Sequence, residues 1–305
     1  MPKFDIVKRT KIWFIISLCV IVPGIFSMCT QGFNLGIDFT GGTIIELRFQ
    51  KEVTLADVRG VLREYGLDNS TIQFSGDTAN AEAAPTVMVR SVDLEEEERK
   101  AVMASLKQQL GDYDVLREEK VGATIGGELI TNAVLALVIS WALIILYVAY
   151  RFEWRFGVSA VLALIHDIII VLAVFSFTQR QIDSSFIAAL LTIVGYSIND
   201  TIVIFDRIRE NLKLHFRRGG DVNELVNRSI YQTLTRSLYT VFTVLFTTFA
   251  LYWFGGETTK DFAFALLVGF ASGCYSSIFI ASQLWIELRN RTERRPAVKP
   301  AAVEG

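Results

Sequence analysis

The sequence predicts an α-helical polytopic membrane protein with six transmembrane helices and one extracytoplasmic α+β domain between helices 1 and 2. Three observations predict it. The 305-residue chain is 51% apolar with a mean hydropathy of +0.39, although 20% of it is charged. The charges are unevenly spread, so that uncharged runs of membrane-spanning length alternate with charged stretches. One interval of about a hundred residues after the first run carries the alternations and caps of a folded domain rather than of a loop.

A membrane-crossing helix needs roughly 20 apolar residues, and runs that meet this length lie at 12–30, 129–150, 157–178, 185–205, 238–255 and 262–285. The first follows Lys3, Lys8, Arg9 and Lys11. A basic start before an apolar stretch also fits a secretory signal peptide. This run, however, exceeds a usual signal core, lacks a small-x-small cleavage site and precedes five more spans, so an uncleaved helix is expected. Orientation follows from Lys and Arg. Residues 1–11, 151–156, 206–236 and 286–305 hold 4, 2, 7 and 5 of them, whereas the loops 179–184 and 256–261 hold only Arg180 and Lys260. Retained positive charge marks the cytoplasmic side, so both termini are expected inside. The charged connector 206–236 is expected to be amphipathic and to face headgroups, and the polar tail from Arg294 to be disordered.

The interval 31–128 has 18 acidic and 10 basic residues. Thr43–Phe49 alternates as a strand. Thr54 can cap a helix reaching Tyr65, with Asp57 as its capping-box partner. Short strands follow at Thr71–Phe74 and Thr86–Val89, separated by a loop at Gly76–Pro85. Asp93 opens an amphipathic helix to Leu110, with Glu95–Glu98 where the helix dipole favours them. A last strand is expected at Asp114–Glu119. The order β-α-β-β-α-β is the split βαβ, ferredoxin-like pattern.

Composition excludes several classes. A net charge of −2 and a pI of about 5.8 give no footprint for binding nucleic acid. Cys19, Cys29 and Cys274 lie inside apolar runs, with neither a disulfide framework nor a metal-ligand spacing. P-loop, nucleophile-elbow and HExxH patterns are absent, so no enzyme, no cofactor and no metal are expected, and any work must draw on a partner or on the membrane gradient.

Ionisable groups within a span cost about 2.5–3.5 kcal/mol each on insertion scales and usually face a cavity or a partner. They single out His166 and Asp167 in the third span, Asp200 in the fourth and Arg236 at the start of the fifth. Tyr196 and Ser197 share a helix face with Asp200, while Asn199 and Thr201 flank it. Gly195 leaves room for a close helix neighbour. A carboxyl there can alternate between neutral and ionised forms, held ionised by a nearby guanidinium until that partner moves away. The competing reading is a structural interhelical hydrogen bond. His166 and Asp167 are adjacent, so their side chains diverge by about 100° and are not expected to pair. Asp167 faces Ala163, Leu164, Ile170 and Val171, and requires a cross-helix partner, for which Arg236 and Asn199 are the candidates. For His166, a packed polar residue and a functional one remain even alternatives. Gly269 and Gly273 form a GxxxG expected to pack helices, and Gly41–Gly42 alone imply only a turn.

The runs Asp38–Thr43 (DFTGGT), Val194–Thr201 (VGYSINDT) and Phe205–Asn211 (FDRIREN), with the His166-Asp167 pair, together resemble the SecF family of the bacterial SecD–SecF protein-export complex. Asp38-Phe39-Thr40-Gly41-Gly42-Thr43 is similar to the motif that opens its first extracytoplasmic domain. Val194–Thr201 (VGYSINDT) and Phe205–Asn211 (FDRIREN) resemble its fourth-helix signature, and His166-Asp167 its third-helix pair. The resemblance covers about residues 4 to 290. It implies a transporter of the resistance–nodulation–division type in the bacterial cytoplasmic membrane, embedded in the lipid bilayer and paired with SecD. Such a complex assists late preprotein translocation through SecYEG, after the SecA motor, using the proton motive force. It further implies a proton path lined by Asp200 and Arg236, with His166, Asp167 and Asn199 as further candidates; some members are thought to use sodium. The rival readings are a small-molecule exporter of the same superfamily, which would need two large external domains, and a scaffold subunit with no ion path.

Overall fold

A computed structural model describes residues 5–68, 70–75, 86–215 and 221–293. The loop expected at Gly76–Pro85 and the tail from Arg294 lie outside the described residues. After a 3-10 turn at Val7–Arg9, helix α1 runs Thr10–Thr30. A two-residue strand β1 (Asn34–Leu35) and a one-turn helix α2 (Ile37–Thr40) lead into β2 (Gly42–Phe49). There follow α3 (Leu55–Arg63), β3 (Thr71–Ser75), β4 (Thr86–Ser91), α4 (Glu96–Leu110) and β5 (Tyr113–Val121). The remaining elements are α5 (Ala123–Arg151), α6 (Trp154–Thr178), β6 (Gln181–Ile182), α7 (Ser184–His215), α8 (Val222–Phe254), α9 (Glu257–Ser276), a π turn at Ser277–Ala281 and α10 (Ser282–Glu293). Six helices among the described residues are long and apolar enough to cross a membrane. The last runs through α9 and the π turn into α10 without a break. Where described, residues 206–236 continue α7 and α8 as helix.

The α+β domain is ferredoxin-like. Its four strands pair in the order β3-β4-β2-β5, each antiparallel to its neighbours. Strand alternation sends Ile45, Leu47 and Phe49 to one face, where α3 and α4 cover them with Val58, Val61, Leu62, Val102 and Leu106. The opposite face, with Ile44, Glu46, Met88, Arg90, Arg117 and Glu119, turns toward the membrane helices across a cavity of about 350 Å³. Burial against that face pushes the Arg90 guanidinium below its ordinary pKa, while the carboxylate of Asp261 opposes the shift.

The expected capping box forms at α3. The Thr54 hydroxyl accepts from the Asp57 amide at 3.2 Å, and the Asp57 carboxylate accepts from the Thr54 amide at 3.0 Å. Hydrogen bonds from Thr54 hold the Asp57 carboxyl below its usual range. Thr54→Ala is expected to cost about 1 kcal/mol, read as faster amide exchange throughout α3 with α4 unaffected.

Helices α6, α7 and α9 form the centre of the bundle. Phe156, Phe205, Ile208 and Trp285 fill its half remote from the α+β domain, and Phe175, Phe186, Ile193 and Phe270 the half beneath that domain. Gly269 and Gly273 do pack helices: a Cβ at Gly269 would collide with Ile193 of α7, and one at Gly273 would press tightly on Ser197. Helices α1, α5 and α8 expose most of their length, including Tyr239, Phe242, Phe246 and Trp253 of α8, which leaves those faces for lipid or for another protein.

Candidate functional site

Polar side chains that sequence spacing scatters over five helices converge in the bundle. Asp167 of α6 is fully buried, and all four of its hydrogen bonds come from side chains. Ser272 donates to Oδ1 at 2.7 Å; Ser197 and Ser276 donate to Oδ2 at 2.8 and 2.7 Å. The fourth contact is with His166, whose Nδ1 lies 3.1 Å from Oδ1. Four donors match the roughly four lone-pair positions of a carboxylate. On the far side of the imidazole, Nε2 meets the Ser17 hydroxyl of α1 at 2.9 Å, and Tyr275 stacks against the ring. Ser17, His166, Asp167 and the three serines form one buried chain linking α1, α6, α7 and α9.

Two expectations are corrected here. His166 and Asp167 do pair. The 100° between adjacent side chains sets where they leave the helix, and a ring nitrogen and a carboxyl oxygen can still meet beyond it. The cross-helix partners of Asp167 are serines, neither Arg236 nor Asn199. Asn199 points to the exposed face of α7, and an Asp167 already holding four donors has no vacant acceptor for it.

Asp200 occupies a separate position on α7. It is 8% exposed, and its Oδ1 accepts from the Ser237 hydroxyl of α8 at 2.6 Å. Its Oδ2 is buried and has no hydrogen-bond partner among the described residues. The face shared with Ser197 is not used, because the Ser197 hydroxyl turns to Asp167 on α6. Tyr196, one helical turn before Asp200 on α7, has its ring against Phe270 at 4.6 Å and its hydroxyl buried without a partner among the described residues. Thr201 pairs with Ser277 at 2.8 Å, at the start of the π turn. Gly195 faces open space, so the room it leaves for a close helix neighbour is unfilled within the described residues.

Arg236 precedes Ser237 in the chain, the residue that bonds Asp200, but among the described ion pairs none joins Arg236 to Asp200. The guanidinium is exposed. It lines a cavity of about 340 Å³ together with Tyr147, Arg151, Asp206, Glu210 and Thr233, at the end of the bundle remote from the α+β domain. The expected arginine–carboxylate contact is therefore open here, with Ser237 as the direct partner of the acid.

Asp38, Gly41 and Gly42 lie apart from both carboxyls, where the α+β domain meets the helices. Asp38 belongs to α2, and its Oδ2 accepts from the Ser184 amide that begins α7, at 2.7 Å. Gly41 and Gly42 have φ of 71° and 136°, a region that favours glycine. A Cβ at Gly42 would also stand 2.5 Å from the Ser91 carbonyl oxygen.

Sequence reasoning missed Ser17, Ser237, Ser272, Ser276 and Ser277, because it started from ionisable groups and followed polar neighbours only along the helix that carries Asp200. The spacing of Ser272 and Ser276 was a usable signal, since residues four apart share a helix face.

Residues 101–291 match the family described as protein export membrane protein SecD/SecF, C-terminal, and residues 26–53 match the SecD/SecF GG motif. The chain is 49% identical over 294 residues to the protein translocase subunit SecF of Acidaminococcus fermentans, covering 96% of this chain and all of that protein. It is 43% identical to SecF of Vibrio alginolyticus, covering 92% of this chain and 88% of the relative. The crystal structure of SecDF from Thermus thermophilus, titled a translocon-associated membrane protein, superposes with a TM-score of 0.84 at 40% identity. That match covers 95% of this chain, which spans only 39% of the SecDF chain. Six apolar helices, a ferredoxin-like domain after the first, and up to 49% identity to curated SecF subunits over nearly the full length place this chain in the SecD/SecF protein-export family.

Proposed function

We propose that the chain is the SecF-type subunit of a Sec translocase accessory complex, and that it works with a SecD partner to drive late preprotein translocation and release from the proton motive force. It acts as a transporter subunit without a catalytic site of its own. The observation that carries the reading is Asp200: a carboxyl buried within a membrane helix, with Ser237 on one oxygen and no partner among the described residues on the other. A free acceptor there can take a proton, and Arg236 on the adjacent cavity can hold the ionised form when it approaches. The gradient contributes roughly 2.3 kcal/mol per charge per 100 mV, so a few protons acting together can bias a two-state element.

The exposed stripe on α7 supports a partner. Ala188, Thr192, Gly195 and Asn199 recur at helical spacing on one exposed face, a small-residue seam of the kind transmembrane helices pack against. An amide facing lipid is costly, and an SecD helix lying over this seam would satisfy it. In this reading SecYEG and SecA-dependent preproteins are the wider partners. The bacterial inner membrane is the location, with both termini in the cytoplasm, as the Lys and Arg distribution supports.

Selective collapse of gradients tests the function. In vesicles holding this chain with SecD, a protonophore is expected to stop gradient-dependent preprotein release, and a sodium ionophore to leave it intact. The reverse pattern would assign the coupling to sodium.

A further inference from the structure

The segment Gly36–Gly42 ties the helix that carries Asp200 to the central region of the α+β sheet, and this tie has no place in the ion path itself. We propose that Asp38 is a positioning residue that transmits displacement of α7 into strand β2; the proposal rests on the functional reading above. The contacts converge on a few residues. Gly36 donates to the Ile182 carbonyl at 2.7 Å, and β1 pairs with β6 in parallel immediately before α7. Asn34 reaches the Gln179 carbonyl at 3.0 Å. Asp38 then accepts from the first amide of α7. Phe39, next in the chain, is buried in the same apolar cluster as Phe186, Ala189 and Ile193 of α7.

The other side of the segment is equally fixed. The first turn of α5 lies so close that a Cβ at Gly126 would collide with the Phe39 carbonyl. From Gly42 the chain enters β2, which pairs with both β4 and β5. Arg90 of β4 adds a side-chain hydrogen bond to Gln181, in the strand that precedes α7. Between the Asp38 contact and the start of β2 there are only Phe39, Thr40 and Gly41, and α2 occupies the first two. No slack segment separates helix from sheet.

Helix capping alone does not account for Asp38. Asp183 already caps α7 in its own chain position, accepting from the Phe186 amide at 3.0 Å and the Ser185 hydroxyl at 2.6 Å. Asp38 comes from 146 residues away in sequence. Its removal leaves α7 with a local cap and cuts a cross-link between two bodies.

The test uses the full chain co-purified with SecD in proteoliposomes, with proton entry and gradient-dependent preprotein release both measured. Asp38→Ala is expected to keep assembly and proton entry while release falls about tenfold, the order that loss of a hydrogen bond to a charged group implies. Asp38→Asn, whose amide oxygen still accepts from Ser184, is expected to restore release. Normal release by Asp38→Ala would overturn the proposal, and so would loss of proton entry together with release, or failure of Asp38→Asn to rescue. No proton entry in the unmodified complex would overturn the functional reading itself, a separate result visible in the control.

Discussion

Asp200→Asn is expected to reduce gradient-dependent preprotein release to the level seen without a gradient, while leaving assembly with SecD intact. The asparagine is nearly isosteric, and its amide oxygen can still accept from Ser237, which donates to the aspartate at 2.6 Å. Helix contact is therefore preserved and only the capacity to ionise is lost. Asp200→Leu removes both, leaving the Ser237 hydroxyl, in a residue 1% exposed, without its acceptor at a cost of about 1–3 kcal/mol. A purely structural Asp200 would reverse the emphasis, with the asparagine variant silent and the leucine variant defective in assembly. Release assayed with and without a gradient, alongside co-purification of SecD, separates the two accounts.

Asp167→Ala should have the largest effect on stability. It strips the common acceptor from Ser197, Ser272, Ser276 and His166 at once. Each buried donor left without its acceptor costs about 1–3 kcal/mol; Ser197 and Ser272 lose theirs outright, whereas His166 keeps Ser17 and Ser276 keeps the Gly273 carbonyl. The expected outcome is loss of the detergent-stable fold, read as a lower midpoint of thermal unfolding and poor co-purification with SecD. A single serine change such as Ser272→Ala removes one donor of four and should be much milder, about 0.5–1.5 kcal/mol. Equal effects of Asp167→Ala and Ser272→Ala would mean that the carboxylate is not the hub.

How much of this was legible follows from what each signal measures. Uncharged length marks where lipid surrounds a helix, so it revealed six spans yet not their full extent. Helix α7 continues to His215 and α8 begins at Val222, since backbone hydrogen bonding persists where apolar character stops. The alternation in Thr43–Phe49 and the Thr54–Asp57 capping box are local, and both reappear in the structure. The pairing of β1 with β6 joins two residues to two others over a long separation, too short a pattern to read. Cost of burial pointed to Asp167 and Asp200 in isolation. Their partners depend on how helices rotate against one another, and a neutral serine carries no such cost signal. Ser237 and Ser272 therefore surfaced only in three dimensions, and the π turn beside Ser276 carried no sequence mark.

The central claim is that Asp200 takes up and releases a proton during transport. Proton entry into proteoliposomes that hold SecD with either the unmodified chain or Asp200→Asn, under an imposed gradient and with a translocating preprotein, measures it directly. Entry by the unmodified complex and none by the variant is the predicted result. Equal entry by both would contradict it.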